Sequence, residues 1–238
     1  MKKLFFALIL SFFFIPLSEA DENLLKYEKE CREFIDKPKI ELISSYGRLQ
    51  YKFDKDAAYL KRETAKKFAE QDETMSDDFM PVGLTKVRDV FDFDFTVGTL
   101  ALSQGYTCVY PESVKVRLEY FMPTIYILNS LEKDSCMYNV ALRHENTHMQ
   151  IYIEALDYFL PKLKKFMVKQ FNLIGVKVVS DSESSEKAAK DLNEKYLAGI
   201  QNKITEWHKE VEHEQLKLDT PEHYIIENMI CQTIEDEY

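Results

Sequence analysis

Residues 135–159, SCMYNVALRHENTHMQIYIEALDYF, decide the fold because their apolar positions repeat with the period of an α-helix. On a helical wheel His144 and His148 fall on the apolar face, and Asn146 and Glu154 fall on the opposite, polar face. Either Asp134 or Ser135 is a suitable N-cap. A buried imidazole needs a hydrogen bond or a metal ion. We therefore predict a core helix that carries two histidines side by side.

The run His144-Glu145-Asn146-Thr147-His148 has the form His-Glu-x-x-His. Histidines four residues apart on a helix have Cβ atoms about 5–6 Å apart, so both rings can reach one metal ion. Glu145 is rotated by about 100° from His144, where it can accept a proton from a metal-bound water without being a ligand. This pattern is typical of zinc peptidases. It predicts one Zn²⁺ per chain, with His144 and His148 as ligands and Glu145 as the catalytic base.

A catalytic zinc needs a third protein ligand, which must come from another part of the chain. The long C-terminal helix is expected to return antiparallel to the His-Glu-x-x-His helix. Six apolar residues are predicted to share one face of it: Leu192, Tyr196, Ile200, Ile204, Trp207 and Val211. His208 ranks first because it flanks the apolar face of that helix, and a ligand that points outward cannot bind. Glu214 lies on the same face, and His213 lies on the solvent side. The candidates that remain open are His208, His213, Glu214, Asp219 and His223.

The N-terminus has the features of a secretory signal. Lys2 and Lys3 precede an apolar run over residues 4–17, and Ser18-Glu19-Ala20 ends in small residues, so we predict cleavage after Ala20. The apolar run is short for a membrane span, although an uncleaved anchor is the alternative. The net charge of −10 argues against nucleic-acid binding, which needs a basic surface. We predict a secreted or periplasmic protein with no stable membrane span after cleavage.

Four cysteines follow the predicted signal, an even number that suggests two disulfides in an exported chain. Three connectivities are possible. Cys108 and Cys136 flank two strand-like runs, so our prediction pairs Cys108 with Cys136 and Cys31 with Cys231. The alternative is that they are free buried thiols.

The remaining periodicities predict an α+β fold, with residues 21–238 as a single domain. In 90–97, alternation of Phe with Asp predicts a strand with one buried face. A small antiparallel sheet would pack against the His-Glu-x-x-His helix and the long C-terminal helix. The predicted strands are 39–43, 48–53, 90–97, 114–120 and 124–128. The predicted helices are 21–35, 56–70, 135–159 with a bend or restart at Pro161 and a helical continuation over 162–171, 186–217, and a last one from Pro221 to about residue 233.

Residues 105–238 resemble a group of bacterial secreted zinc-dependent proteases with a zincin-like His-Glu-x-x-His core. The residues that carry the resemblance are Cys108, the strand around 125–127, Ser135, Cys136, Tyr138, the run 143–148 and the segment LDTPEHY at 218–224. The resemblance implies zinc hydrolase chemistry and no particular substrate. The chain departs from the metzincin extension, because Ile151 stands in place of its glycine and Glu154 in place of its third histidine.

Taken together, these features predict an exported zinc-dependent hydrolase that cleaves peptide or protein substrates. The strand at 124–128, if it lies at the sheet edge, could align an extended peptide. The alternative is a catalytically silent exported binding protein, or pseudoprotease, that keeps a structural metal site. A third interpretation has no metal and two hydrogen-bonded core histidines. The sequence does not indicate an oligomeric state.

Overall fold

The structure is a computed structural model that describes residues 19–70, 79–180 and 185–236. The predicted signal therefore lies outside the described residues, apart from its last two positions. The helices and strands, in chain order, are α1 (Glu19–Phe34), β1 (Lys39–Ser45), β2 (Gln50–Lys55), α2 (Ala57–Glu70), β3 (Gly83–Lys86), β4 (Asp89–Ala101), β5 (Thr107–Tyr120), β6 (Thr124–Leu128), α3 (Cys136–Ile174), β7 (Lys177–Val179), α4 (Ser185–Leu218) and α5 (Pro221–Asp236).

The α+β class is confirmed, but the strands form two mixed sheets instead of one antiparallel sheet. In the first sheet β5 is flanked by β1 and β4 and also pairs with β7; in the second, β6 lies between β2 and β3. Strand β1 runs parallel to β5, and β2 runs parallel to β6. The remaining pairings are antiparallel. The prediction failed because short connections favour antiparallel neighbours, whereas β1 and β2 each pair with a strand far along the chain.

The connection between β1 and β2 explains why they do not form a hairpin. Gly47 has φ +66, and a Cβ atom at this position would lie 2.3 Å from the Tyr120 carbonyl oxygen. The chain can therefore change direction against the end of β5 only because this residue is a glycine. From this point the chain enters the second sheet, where β2 pairs with β6, and β3 of that sheet contacts the His-Glu-x-x-His region of α3.

Helix α3 and helix α4 pack against one another and against the first sheet. The six apolar residues predicted to share one face of α4 are all buried: Leu192, Tyr196, Ile200, Ile204, Trp207 and Val211. The Phe residues of β4 alternate with exposed aspartates, as predicted. The interhelical core positions the buried face of α3, on which the two histidines lie.

Helix α3 runs as one helix through Pro161 to Ile174, where a bend or restart at Pro161 and a further helical stretch over 162–171 were predicted. Proline removes one intrahelical hydrogen bond. Leu156 and Phe159 before it, and Leu163 and Met167 after it, all remain buried on the same side, which favours an uninterrupted helix. At the other end, Ser135 is the N-cap, and its hydroxyl accepts a hydrogen bond from the Tyr138 amide at 3.2 Å.

Both disulfides form, but the predicted connectivity is wrong. Cys31 pairs with Cys108 and joins α1 to β5, and Cys136 pairs with Cys231 and joins the first turn of α3 to α5. The prediction was wrong because it paired Cys108 with Cys136 on the basis of their closeness in sequence. Strand β5 begins beside α1, whereas α5 folds back over the start of α3. Disulfides are typical of oxidising compartments.

Within the described ranges, no helix is long and apolar enough to cross a membrane.

Candidate metal centre

The two histidines of α3 meet at their Nε2 atoms, as their spacing predicts. The Nε2 atoms of His144 and His148 are 3.1 Å apart. The two residues are only 4% and 2% exposed. Their position on the core face of α3 therefore places two potential nitrogen ligands in a buried site.

Asp219 supplies a third potential ligand atom. It lies between the end of α4 and the start of α5, and its Oδ1 is 3.2 Å from His144 Nε2 and 3.0 Å from His148 Nε2. Zinc bonds of about 2.0–2.2 Å in a tetrahedral arrangement place donor atoms roughly 3.3–3.6 Å apart. The His144–His148–Asp219 cluster thus has nearly the dimensions of a zinc site, and these are the residues whose ligand atoms converge.

The outer nitrogen of each imidazole is also engaged. His148 Nδ1 contacts the Gln215 side-chain oxygen, whose amide nitrogen donates to the His148 carbonyl at 3.1 Å. His144 Nδ1 lies 3.1 Å from Glu227 Oε2. A neutral imidazole has one N–H proton. Because both Nδ1 atoms contact acceptor oxygens, that proton lies on Nδ1 in each ring. Both Nε2 atoms are then unprotonated and face Asp219 Oδ1, so three lone-pair donors converge with no proton between them.

This convergence is the arrangement of histidine ligands whose other nitrogen is fixed by a second group. Without a cation, at least one ring would need a second proton at Nε2 to satisfy these contacts, which would place a positive charge in a buried site. Burial lowers the pKa of His144, but Asp219 and the charges of Glu145 and Glu227 raise it further than burial lowers it. A bound cation would satisfy the same carboxylates.

The second oxygen of Asp219 is paired with a lysine. Lys67 of α2 places its ammonium 3.1 Å from Asp219 Oδ2, and the Tyr224 hydroxyl of α5 donates to Oδ1 at 2.8 Å. Burial raises the pKa of Asp219, but its contacts with His144 and His148 and the charge of Lys67 lower the pKa well below its usual range. Asp219 is therefore ionised, as a metal ligand must be.

Glu145 lies beside the cluster and is not one of its converging donors. It is 5% exposed, and the Thr85 hydroxyl of β3 is 2.7 Å from Glu145 Oε2 and 2.9 Å from the Glu145 carbonyl. A Cβ atom at Gly83 would lie 2.4 Å from Glu145 Oε1, so β3 approaches this closely because residue 83 is glycine. Burial raises the pKa of Glu145.

A cavity of about 20 Å³ separates Glu145 from α5. Its lining includes Gly83, His144, Glu145, Tyr224 and Glu227. A volume of this size has room for about one water molecule. Glu145 and His144 therefore border the same water-sized cavity.

The structure does not bring His208, the first-ranked third ligand, into the cluster. Its Nε2 lies 3.1 Å from Asp89 Oδ2, at the start of β4. Glu214 pairs with Lys217 on the surface, and His213 and His223 are exposed. Asp219 takes this position because it follows the last turn of α4, where the chain leaves the helix. A helical wheel assigns faces only within a helix, so it could not place Asp219.

Sequence reasoning also missed Gln215 and Glu227. Gln215 is 1% exposed and occurs four residues after Val211, on the apolar stripe of α4. A polar side chain at a predicted core position was the available signal, because such a residue needs a buried partner. Glu227 gave no comparable signal, because a glutamate on a short amphipathic helix is ordinarily a solvent-exposed residue.

Comparison with known proteins returned nothing: no family model, no curated protein and no solved structure matches this chain. The resemblance to secreted zinc-dependent proteases therefore stays a prediction that depends on the residues quoted for it.

Proposed function

We propose that this protein is an exported zinc-dependent hydrolase that cleaves peptide bonds. The observation that carries the proposal is the convergence of His144 Nε2, His148 Nε2 and Asp219 Oδ1, with both Nδ1 atoms held by other groups. Two imidazoles and one carboxylate are a ligand set that zinc uses in catalytic sites. When bound there, zinc would lower the pKa of a coordinated water and polarise a substrate carbonyl.

Glu145 is suited to hold and transfer a proton. Thr85 fixes Oε2, which leaves Oε1 for a water in the 20 Å³ cavity that Glu145 lines. Burial raises the pKa of this carboxyl, and a base whose pKa is closer to the working pH transfers protons more efficiently. We propose that Glu145 accepts the proton of the attacking water and donates it to the leaving amine.

The strand that would align a substrate is β3 instead of β6. The structure places β6 between β2 and β3, so its backbone hydrogen bonds are used within the sheet. Strand β3 is an edge of that sheet among the described strands, and its Gly83 and Thr85 lie against Glu145. An extended peptide could add to such an edge by backbone hydrogen bonds.

A second cavity, of about 350 Å³, borders the same strand. Its lining includes all residues from Leu84 to Val87, together with Lys67 and Trp207. Lys67 contacts Asp219 and Thr85 contacts Glu145, so these two side chains stand between the cavity and the cluster. We propose that it receives the part of the substrate next to the scissile bond.

One observation favours the alternative of a catalytically silent metal protein. The Tyr224 hydroxyl is 3.4 Å from His144 Nε2 and 2.8 Å from Asp219 Oδ1. It thus stands near the place of a fourth donor, which a catalytic zinc leaves to water. A permanently closed site would bind metal and do no hydrolysis.

The experiment that separates the two functions uses metal-free protein, zinc-reconstituted protein and a library of unstructured peptides analysed by mass spectrometry. We expect cleavage after zinc is added, loss of cleavage with a chelator and recovery when zinc is restored. The assay is run with and without a dithiol reductant, so that the protein is tested with its disulfides intact and with them reduced. Stoichiometric zinc binding without cleavage in either condition would support the silent protein and refute the hydrolase.

A further inference from the structure

Helix α5 covers the metal cluster. Two of its side chains, one turn apart, contact His144: Tyr224 stacks near the ring, with centroids 5.1 Å apart, and Glu227 contacts Nδ1. Phe79 packs edge-on against Tyr224 from the other side, with ring centroids 4.7 Å apart. These contacts place α5 between the cluster and the solvent on this side.

The enclosed space cannot admit a peptide. The cavity bordered by His144 and Glu145 measures about 20 Å³, which is the size of one water molecule. Tyr224 and Glu227 line this cavity together with the chain at Pro81–Gly83. A substrate carbonyl could reach the Nε2 side of the histidines only if α5 moved.

Helix α5 is fixed at both ends. At its start, Asp219 is part of the cluster, and the Thr220 hydroxyl caps the helix by accepting from the His223 amide at 3.3 Å. Near its end, Cys231 is joined to Cys136 at the start of α3. On its outer face Ile225 and Ile226 are each 59% exposed. The disulfide is thus a covalent restraint at the end of α5 that is remote from Asp219.

The two disulfides differ in their accessibility. Cys31 and Cys108 are both 0% exposed, so a reductant cannot reach their sulfur atoms in the folded protein. Cys136 is partly exposed at the first turn of α3, whereas its partner Cys231 is 3% exposed, so a thiolate would approach this bond from the Cys136 side. Thiol–disulfide exchange requires a thiolate to approach a sulfur atom directly. A reductant should therefore cleave the Cys136–Cys231 bond first.

We propose that α5 is a lid over the metal cluster and that the Cys136–Cys231 disulfide is its redox-sensitive latch. The substrate part of this proposal rests on the proposed hydrolase function. A dithiol reductant supplies two electrons and two protons; the S–S bond breaks, Cys136 and Cys231 become thiols, and the dithiol becomes a disulfide. With the latch open, α5 pivots at residues 219–220 and withdraws Tyr224 from the site.

The test compares the wild type with a Cys136→Ala/Cys231→Ala variant, and a Cys31→Ala/Cys108→Ala variant is the matched control. The two disulfides close loops of similar length, with sequence separations of 95 and 77, so their removal reduces stability similarly. We measure hydrogen exchange of the α5 amides and the rate at which a chelator removes zinc. Opening the latch should accelerate both about tenfold or more, whereas the control should leave them near the wild-type rates.

A second variant tests the lid with both disulfides intact. Tyr224→Ala removes the ring that covers His144 and should accelerate zinc removal without increasing exchange at the disulfide end of α5. Peptide hydrolysis should rise in the latch variant and in wild type treated with a dithiol.

Equal α5 exchange in the latch variant and the control would overturn the proposal, and so would zinc removal that neither the latch variant nor Tyr224→Ala accelerates. Faster exchange and faster zinc removal without hydrolysis in any form would support the lid and refute the hydrolase. If zinc does not bind at all, the hydrolase fails, and α5 exchange alone decides whether the latch exists.

Discussion

Replacing Glu145 by glutamine is expected to abolish peptide hydrolysis while the protein keeps its zinc. Glutamine has nearly the same shape and can still contact Thr85, but it cannot accept a proton. Loss of general base catalysis lowers rates by about 10²–10⁴-fold. Because Glu145 is not one of the converging ligands, zinc content should remain about one per chain. Steady-state rates on a cleaved peptide and elemental analysis of the same preparation measure both effects.

The matched control is Glu154→Gln, which makes the same change on the exposed side of α3. Its rate and zinc content should equal those of the wild type. Hydrolysis by Glu145→Gln at the wild-type rate would show that another group accepts the proton. A loss of zinc in Glu145→Gln alone would show that Glu145 is a ligand, which contradicts the geometry of the cluster.

Replacing Asp219 by asparagine should weaken zinc binding by about as large a factor as Glu145→Gln lowers the rate of hydrolysis. Zinc sites of small proteins bind with about 10–16 kcal/mol in total, so one of three ligands accounts for roughly 3–5 kcal/mol, or about 10²–10⁴-fold in Kd. Asparagine keeps the size of the side chain and loses the charge that binds the metal and Lys67. Competition with a chromogenic chelator of known affinity measures the change in Kd.

His208→Ala is the control for this experiment, because His208 was the ligand favoured by the sequence. The structure pairs it with Asp89 and not with the cluster, so its removal should leave the zinc Kd unchanged. A loss of zinc in His208→Ala together with retention in Asp219→Asn would restore the original ranking and refute the cluster described above.

The features predicted well from the sequence are those that depend on local periodicity. The spacing of His144 and His148 requires one face of one helix, and the structure brings their Nε2 atoms together. The stripe from Leu192 to Val211 likewise depends only on the helical repeat, and all of its predicted members are buried. In both cases a single period determines which side chains share a face.

The features that could not be predicted depend on pairing between distant segments. The parallel pairing of β1 with β5 and of β2 with β6 joins residues about seventy positions apart, as in the pair Lys39 and Ser113. No local pattern specifies such a partner. The same holds for the disulfides, because four cysteines allow three connectivities and only the tertiary fold selects one.

The candidate third ligand, Asp219, shows a further limit of the helical wheel. Asp219 lies one residue beyond α4, where side-chain direction depends on the turn into α5. Its neighbours Thr220 and Pro221 form a helix-start signal, beside which an aspartate has an equally good structural role. The sequence does contain one useful signal, the polar residue Gln215 on the apolar face of α4. Gln215 marks the turn of α4 that contacts His148.

The most direct measurement of the central claim is a crystal structure of zinc-saturated protein with anomalous diffraction recorded at the zinc absorption edge. We predict one anomalous peak at about 2.0–2.2 Å from His144 Nε2, His148 Nε2 and an Asp219 carboxylate oxygen. A zinc-saturated crystal with no peak among these three atoms, or with a peak bound by other residues, would contradict the account.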